Sequence, residues 1–269
     1  MSAPEAFPLF VAERGQGRPL ILLHGWASHG GYFGPQMETL GERFHLLCPD
    51  LPGHRNSIAS LPRLGIPHLA DSLHRLISER SLSGAVVIGW SMGAMVAFDY
   101  IARYGQAALS GLVIEDMTAR IINDESWHLG IRNDFLAEHS AMALQAMRGD
   151  WASYVRNSLP KLFARSRSSQ DPLYRWAEAE MLANDGAAMA ALWASMAEQD
   201  FRWLLPQLTL PVLLLHGGDS QLYDPAVHHW METVIPNARR LCLEQAGHSP
   251  HLEMPDAYNA AVSAFAAAF

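Results

Sequence analysis

Cysteine is scarce in this chain: Cys48 and Cys242 are the two among 269 residues. Both sit in apolar, strand-like runs and read as packed thiols, although the sequence alone leaves a bond between them open. Charge of one sign is not concentrated either. Lys and Arg number 19 against 27 Asp and Glu, a net charge of −8 without a basic stripe, which argues against a nucleic-acid partner. No run approaches the roughly 18 apolar residues that span a bilayer, so no membrane partner is expected. Met1–Phe7 lacks a cationic segment followed by an apolar stretch; no signal peptide is read there, and a cytoplasmic location is the expectation. Metal and cofactor motifs are missing too. There is no H-E-x-x-H, C-x-x-C or G-x-x-x-x-G-K-[ST], and His228 and His229 are adjacent rather than spaced along one helix face. Gly15-Gln16-Gly17 lacks the third glycine and the following helix of a dinucleotide site and reads as a turn between early strands. Neither a cofactor nor a metal is expected.

What the chain does have is the composition of an ordinary globule, 49% hydrophobic and 17% charged, and enough length for one well-buried domain. Strand-like runs fall near 20–24, 44–49, 85–90, 111–116, 211–216 and 239–243. Most are continuously apolar, as in a parallel sheet covered on both faces. Helical stretches such as His68–Glu79 and Met92–Tyr104 separate several of them, and this alternation specifies an α/β class with a mostly parallel central sheet flanked by helices. Between about Thr118 and Leu205 the strands stop and helical periodicity takes over, with Asp171-Pro172 supplying an N-cap and an N1 proline.

The chemistry concentrates at Gly89-Trp90-Ser91-Met92-Gly93, a G-x-S-x-G pentapeptide between the apolar run Ala85–Ile88 and a helical continuation. A serine there sits on a tight strand-to-helix turn, its hydroxyl lifted clear of the sheet and the helix N-terminus aimed at the reaction centre. Ser91 is therefore the candidate nucleophile. An oxyanion hole needs two fixed N–H donors, and the expected pair is Met92, next after the nucleophile, and Trp26, just past the strand that ends in His24-Gly25. Of 13 histidines, His248 stands out as the candidate base. It follows Gly247 in a late loop after the run Arg240–Leu243, with His251 as its local competitor.

In this order the motifs resemble the α/β-hydrolase superfamily over nearly the whole chain. His24-Gly25-Trp26 comes first, then Cys48-Pro49-Asp50-Leu51-Pro52-Gly53-His54, the Ser91 elbow, a helical insertion, His216-Gly217 and Gly247-His248. In detail the sequence is similar to small bacterial carboxylesterases and pimeloyl-carrier-protein methyl esterases, which also carry His-Gly-Trp and Gly-Trp-Ser. It departs from them at Arg55, where relatives usually have a second glycine, in a loop near the active-site rim.

The resemblance implies a catalytic acid. Most relatives place it three residues after the glycine that ends the strand following the insertion, which here is Ser220. Asp219 lies one residue too early and Asp224 is more remote. A subset of the superfamily takes the acid from the end of the preceding core strand instead, and the matching residue is Asp116. Asp116 is the preferred acid and Asp219 the second; Glu115 is expected on the opposite strand face.

The resemblance also implies a core of residues 1–117 and 206–269, and a helical cap, 118–205, inserted after the strand ending at Asp116. The cap holds Trp127, Trp151, Trp176, Trp193 and Trp203, with Met142, Met147, Met181, Met189 and Met196, side chains that suit an apolar acyl pocket. Trp127 and His128 rank first as pocket residues by closeness in sequence to Asp116. The implied activity is that of a serine carboxylesterase acting on small to medium acyl or aryl esters. Alternatives on the same triad are a lactonase, a C–C bond hydrolase and a cofactor-free perhydrolase or haloperoxidase; a ligand receptor on a hydrolase fold is the non-enzymatic one. The expected partner is a small-molecule ester, and oligomeric state is left open between monomer and dimer.

Overall fold

A computed structural model describes residues 9–57 and 61–269; the reading of Met1–Phe7 lies outside the described residues. Among the described residues, seven strands form one sheet: β1 (Val11–Arg14), β2 (Pro19–Leu23), β3 (His45–Pro49), β4 (Ala85–Trp90), β5 (Leu109–Glu115), β6 (Val212–Gly217) and β7 (Ala238–Leu243). Their spatial order is β1-β3-β2-β4-β5-β6-β7. All pairings are parallel except that of β1 with β3. The six apolar runs of the sequence are β2 to β7. The periodicity did not reveal β1, and the reason is its place. An edge strand contacts the sheet along one side only, so Val-Ala-Glu-Arg can carry two exposed residues without breaking the ladder.

Burial explains the composition of the centre. Every residue of β4 and β6 is buried, whereas the edge strand β7 exposes Arg239 and Arg240. The core helices are α1 (Gly34–Leu40), α2 (Ile66–Glu79) and α3 (Met92–Tyr104) before the insertion. The insertion carries α4 (Ala137–Gly149), α5 (Trp151–Ser158), α6 (Pro172–Leu182) and α7 (Gly186–Ala197). After it come α8 (Pro225–Val234), the short α9 (Pro250–Glu253) and α10 (Pro255–Ala266). Helix α3 has the span expected from sequence and is buried from Met92 to Ile101. Helix α6 begins as its signal said it should: Asp171 accepts the Leu173 N–H at 2.9 Å, and Pro172 occupies the first turn. Among the described residues, no helix is long and apolar enough to cross a membrane.

The consequence for function is positional. Parallel strands all end on one side of the sheet, so Ser91 after β4, Asp116 after β5 and Asp219-Ser220 after β6 emerge on the same edge. The α4–α7 insertion leaves the chain at that edge, between β5 and β6.

Candidate active site

Ser91 occupies a backbone conformation that side chains rarely adopt, φ 52° and ψ −118°. Strain of this kind persists only where neighbours over-determine it. Here the two glycines of the pentapeptide allow the turn to close. A Cβ on Gly89 would lie 2.6 Å from the Ala94 Cα, and one on Gly93 would lie 2.1 Å from the Leu23 carbonyl oxygen. The Ser91 N–H donates to the Glu115 carbonyl at 2.9 Å, tying the turn to β5. Trp90, fully buried, donates its indole N–H to the His248 carbonyl at 2.8 Å, which fixes the histidine loop against the elbow.

Ser91 and His248 line a single cavity of ≈ 110 Å³ with Gly25, Trp26 and Trp90 on the core side. The insertion supplies Tyr154, Met181, Trp193 and Met196, with Ile121, Ile131 and Phe135 from the segment leading into it. Among the described residues no hydrogen bond joins Ser91 Oγ to His248; such contacts commonly tighten only once substrate is bound.

His248 Nδ1 lies 2.6 Å from Asp116 Oδ2, and both side chains are buried. With the carboxylate as acceptor, Nδ1–H is the donor, so in the neutral ring the free lone pair lies on Nε2. Ser220 Oγ donates to the same Asp116 oxygen at 2.7 Å. Burial pushes the Asp116 carboxyl up, but the hydrogen bond and charge of His248, with His228 and Ser220, outweigh it and hold the pKa below the ordinary carboxylate value. Asp219, the second candidate, turns away: its carboxylate takes the Arg165 backbone N–H at 2.6 Å and the Arg165 guanidinium. Asp224 caps α8 through the Ala226 N–H and pairs with Arg132. Glu115 goes to other partners than Asp116, accepting from His251 Nδ1 at 2.7 Å and from the Tyr258 hydroxyl at 2.8 Å. His251, the competitor of His248, is thereby committed to Glu115.

The strand end before Trp26 is held by a neutral histidine. His24 Nε2 accepts the Leu51 N–H at 2.8 Å, so Nδ1 carries the proton and meets the Gly25 carbonyl at 2.8 Å. Burial, and then His54, drive its pKa well below the usual value. The Trp26 indole donates to the Met189 carbonyl in α7 at 2.9 Å and packs edge-on against Trp151 and Trp193. The candidate oxyanion loop is thus joined to the insertion.

The comparisons with known proteins agree with this architecture. Residues 20–261 match the model of the Alpha/beta hydrolase family. The chain belongs to the alpha/beta hydrolase family. The hydrolase is similar to the pimeloyl-[acyl-carrier protein] methyl ester esterase of Nitrosomonas europaea, 28% identical over 93% of this chain and 96% of that one. It is 31% identical to the protein of that name from Chromobacterium violaceum, over 91% and 92% of the two chains. An esterase from Exiguobacterium antarcticum shares the fold, with a TM-score of 0.91, 20% identity and coverage of 98% and 97%.

Some expectations for the hydrolase need correction. Trp127 does not line the cavity: its indole donates to the Arg120 carbonyl at 2.9 Å and its ring packs on Trp230. His128 is exposed and also lies outside the lining. Of the five tryptophans singled out, Trp193 is the one at the cavity, because helix phase rather than nearness in sequence decides which face looks inward. Arg55, the departure from the superfamily pattern, donates to Glu180 of α6 at 2.9 Å, so it bridges core and insertion.

Sequence reading also missed a buried trio. Donor atoms of Asp116, His216 and His228 lie within 4.8 Å of one another. The two imidazoles stack at 4.2 Å, and burial drives the His228 pKa down to about 3. Asp116 Oδ1, His216 Nε2 and both His228 nitrogens have no hydrogen-bond partner among the described residues. These three side chains are the group that could hold a cation here, although no local spacing announces them, since they come from the residue after β5, from β6 and from α8. Cys48 and Cys242 are both free, and burial raises the Cys242 thiol to about 11.

Proposed function

We propose that the protein is a serine carboxylesterase that cleaves small to medium acyl or aryl esters through an acyl-enzyme. Ser91 Oγ attacks the ester carbonyl while His248 Nε2 takes the hydroxyl proton. Asp116 holds the imidazole in the required tautomer and stabilises the imidazolium that forms. The N–H groups of Trp26 and Met92 receive the oxyanion; Met92 begins α3, where helix N–H groups have no intrahelical partner. His248 then returns its proton to the leaving alcohol, and water activated by the same imidazole clears the acyl group. Residues 118–205 act as a lid whose aromatic and Met side chains receive the acyl chain.

One observation carries this reading. His248 and Ser91 share a cavity, and the far nitrogen of His248 is held at 2.6 Å by a buried carboxylate. The family and the esterase names of its relatives support it. The test is hydrolysis of p-nitrophenyl acetate and butyrate by wild type and Ser91→Ala. Turnover that disappears in Ser91→Ala supports the reading; wild type without turnover, or turnover that survives Ser91→Ala, defeats it.

A further inference from the structure

The chain contains 18 arginines and a single lysine, Lys161. That lysine lines the cavity shared by Ser91 and His248. The rest of the lining is apolar or neutral apart from the His248 imidazole: aromatic and aliphatic side chains with Ser158, Tyr154 and Tyr223. An exposed lysine on the lining of an otherwise apolar cavity offers a point charge with a place to act.

Its charge is left available by its surroundings. Ten of the arginines are ion-paired with carboxylates. Lys161 is in no ion pair among the described residues. The two acids that bind the backbone just after it, at Arg165 and Ala164, are already engaged. Asp219 is held by Arg165, and Glu253 accepts the N–H groups of Ala164 at 2.8 Å and Gly247 at 2.6 Å.

The backbone bearing Lys161 is fixed relative to the candidate base. Lys161 lies in a single 3-10 turn, Leu159–Leu162, directly after α5. Gln221 Nε2 donates to the Pro160 and Phe163 carbonyls at 2.8 and 3.0 Å. Ser249, next to His248, donates its hydroxyl to the Leu162 carbonyl at 2.8 Å. The turn is therefore fastened to the two loops that hold Ser220 and His248, and the ammonium stem starts from a set position.

We propose that Lys161 is a carboxylate-recognition subsite and that the preferred substrates are half-esters of dicarboxylic acids. In these the ester lies at Ser91, an aliphatic chain crosses the apolar lining and the free carboxylate reaches the ammonium. This rests on the esterase reading and names its substrate class. Hydrolysis consumes water and yields the dicarboxylate and the alcohol. A protein of net charge −8 repels anionic substrates at long range, so a cation at the cavity is what would let it select them.

The test pairs monomethyl adipate with methyl hexanoate, acyl chains of equal length that differ by a terminal carboxylate. The ratio of kcat/KM, adipate over hexanoate, is measured for wild type, Lys161→Gln, Lys161→Arg and Lys161→Glu. The ratio is expected to fall about tenfold in Lys161→Gln through KM, to be retained in Lys161→Arg and to fall furthest in Lys161→Glu. An equal ratio in wild type and Lys161→Gln overturns the proposal while leaving the esterase reading intact.

A second measurement does not need turnover. Reductive methylation with 13C-formaldehyde labels the single lysine and the N-terminal amine and keeps their charge. Titration of labelled Ser91→Ala with monomethyl adipate is expected to shift the lysine resonance saturably, and methyl hexanoate is not. A lysine signal that ignores monomethyl adipate overturns the subsite even if esters are hydrolysed.

Discussion

Ser220 and His248 converge on one oxygen atom: Asp116 Oδ2 accepts the Ser220 hydroxyl at 2.7 Å and His248 Nδ1 at 2.6 Å. Ser220 stands at the position where the superfamily pattern most often places the acid, so the residue at that site serves the carboxylate supplied by β5. Its hydroxyl can do so because it also accepts, weakly, from the Leu222 and Tyr223 N–H groups at 3.4 and 3.3 Å. Loss of one hydrogen bond to a charged group is worth about 1.5–3 kcal/mol. Ser220→Ala is therefore expected to lower kcat on p-nitrophenyl butyrate by about tenfold or more with a smaller change in KM.

The same geometry predicts an exchange. Asp116→Asn removes the charge, and adding Ser220→Asp to that variant returns a carboxylate to the oxygen's neighbourhood. The double variant is expected to recover at least about tenfold of the kcat lost in Asp116→Asn. Steady-state kinetics of the three proteins side by side decides it; a double variant no better than the single one counts against an acid that can be supplied from either strand end.

The elbow glycines are predicted to be intolerant of a single methyl. Gly93→Ala sets a Cβ against the Leu23 carbonyl, a backbone atom that cannot swing aside. Overpacking costs typically 1–3 kcal/mol, and a backbone clash belongs at or above about 3 kcal/mol. Thermal unfolding should show Gly93→Ala losing several degrees or failing to accumulate as folded protein, while Gly149→Ala, with open space around its Cα, folds normally.

Buried neutral histidines make stability depend on pH. Burial pulls His54 down from 6.5 to about 4, and its ring packs edge-on against His24 at 4.7 Å. Because the folded pKa lies below the unfolded one, the unfolded chain binds the proton first. The contribution is complete above 6.5 and is lost as pH falls from 6.5 towards about 4. By pH 5 the single group accounts for about 2 kcal/mol. Melting temperatures at pH 7.5 and pH 5 should differ more in wild type than in His54→Phe, which keeps the ring contact and removes the titration.

Trp193 is expected to limit acyl length. It is at the cavity, with its indole N–H tied to Ser140 at 3.0 Å, so its orientation is set. Trp193→Ala should raise the ratio of kcat/KM for p-nitrophenyl octanoate over acetate by about tenfold. An unchanged ratio would place the acyl chain elsewhere.

Much of this was readable from the chain, and the limits have physical causes. Six strands announce themselves because each of β2 to β7 carries at least one buried apolar residue, whereas none of the four residues of β1 is buried. Ser91 is local: strand, glycines and helix lie within one short segment. Asp116 was reached through likeness to a superfamily subset, since its bond to His248 spans 132 positions. The Ser220 hydroxyl on Asp116 and the Trp90 indole on the His248 carbonyl have no local signal either, because these contacts span 104 and 158 positions. Trp127 was misassigned because proximity along the chain says nothing about the face a side chain takes, and here it turns to Arg120 and Trp230.

The most direct measurement is kcat for p-nitrophenyl butyrate in Asp116→Asn and Asp219→Asn beside wild type, with melting temperatures taken on the same samples. The expected result is a fall of about 10³–10⁴ in Asp116→Asn and a value within about threefold of wild type in Asp219→Asn, both proteins remaining folded. The reverse pattern, with Asp116→Asn active and Asp219→Asn silent, would contradict it.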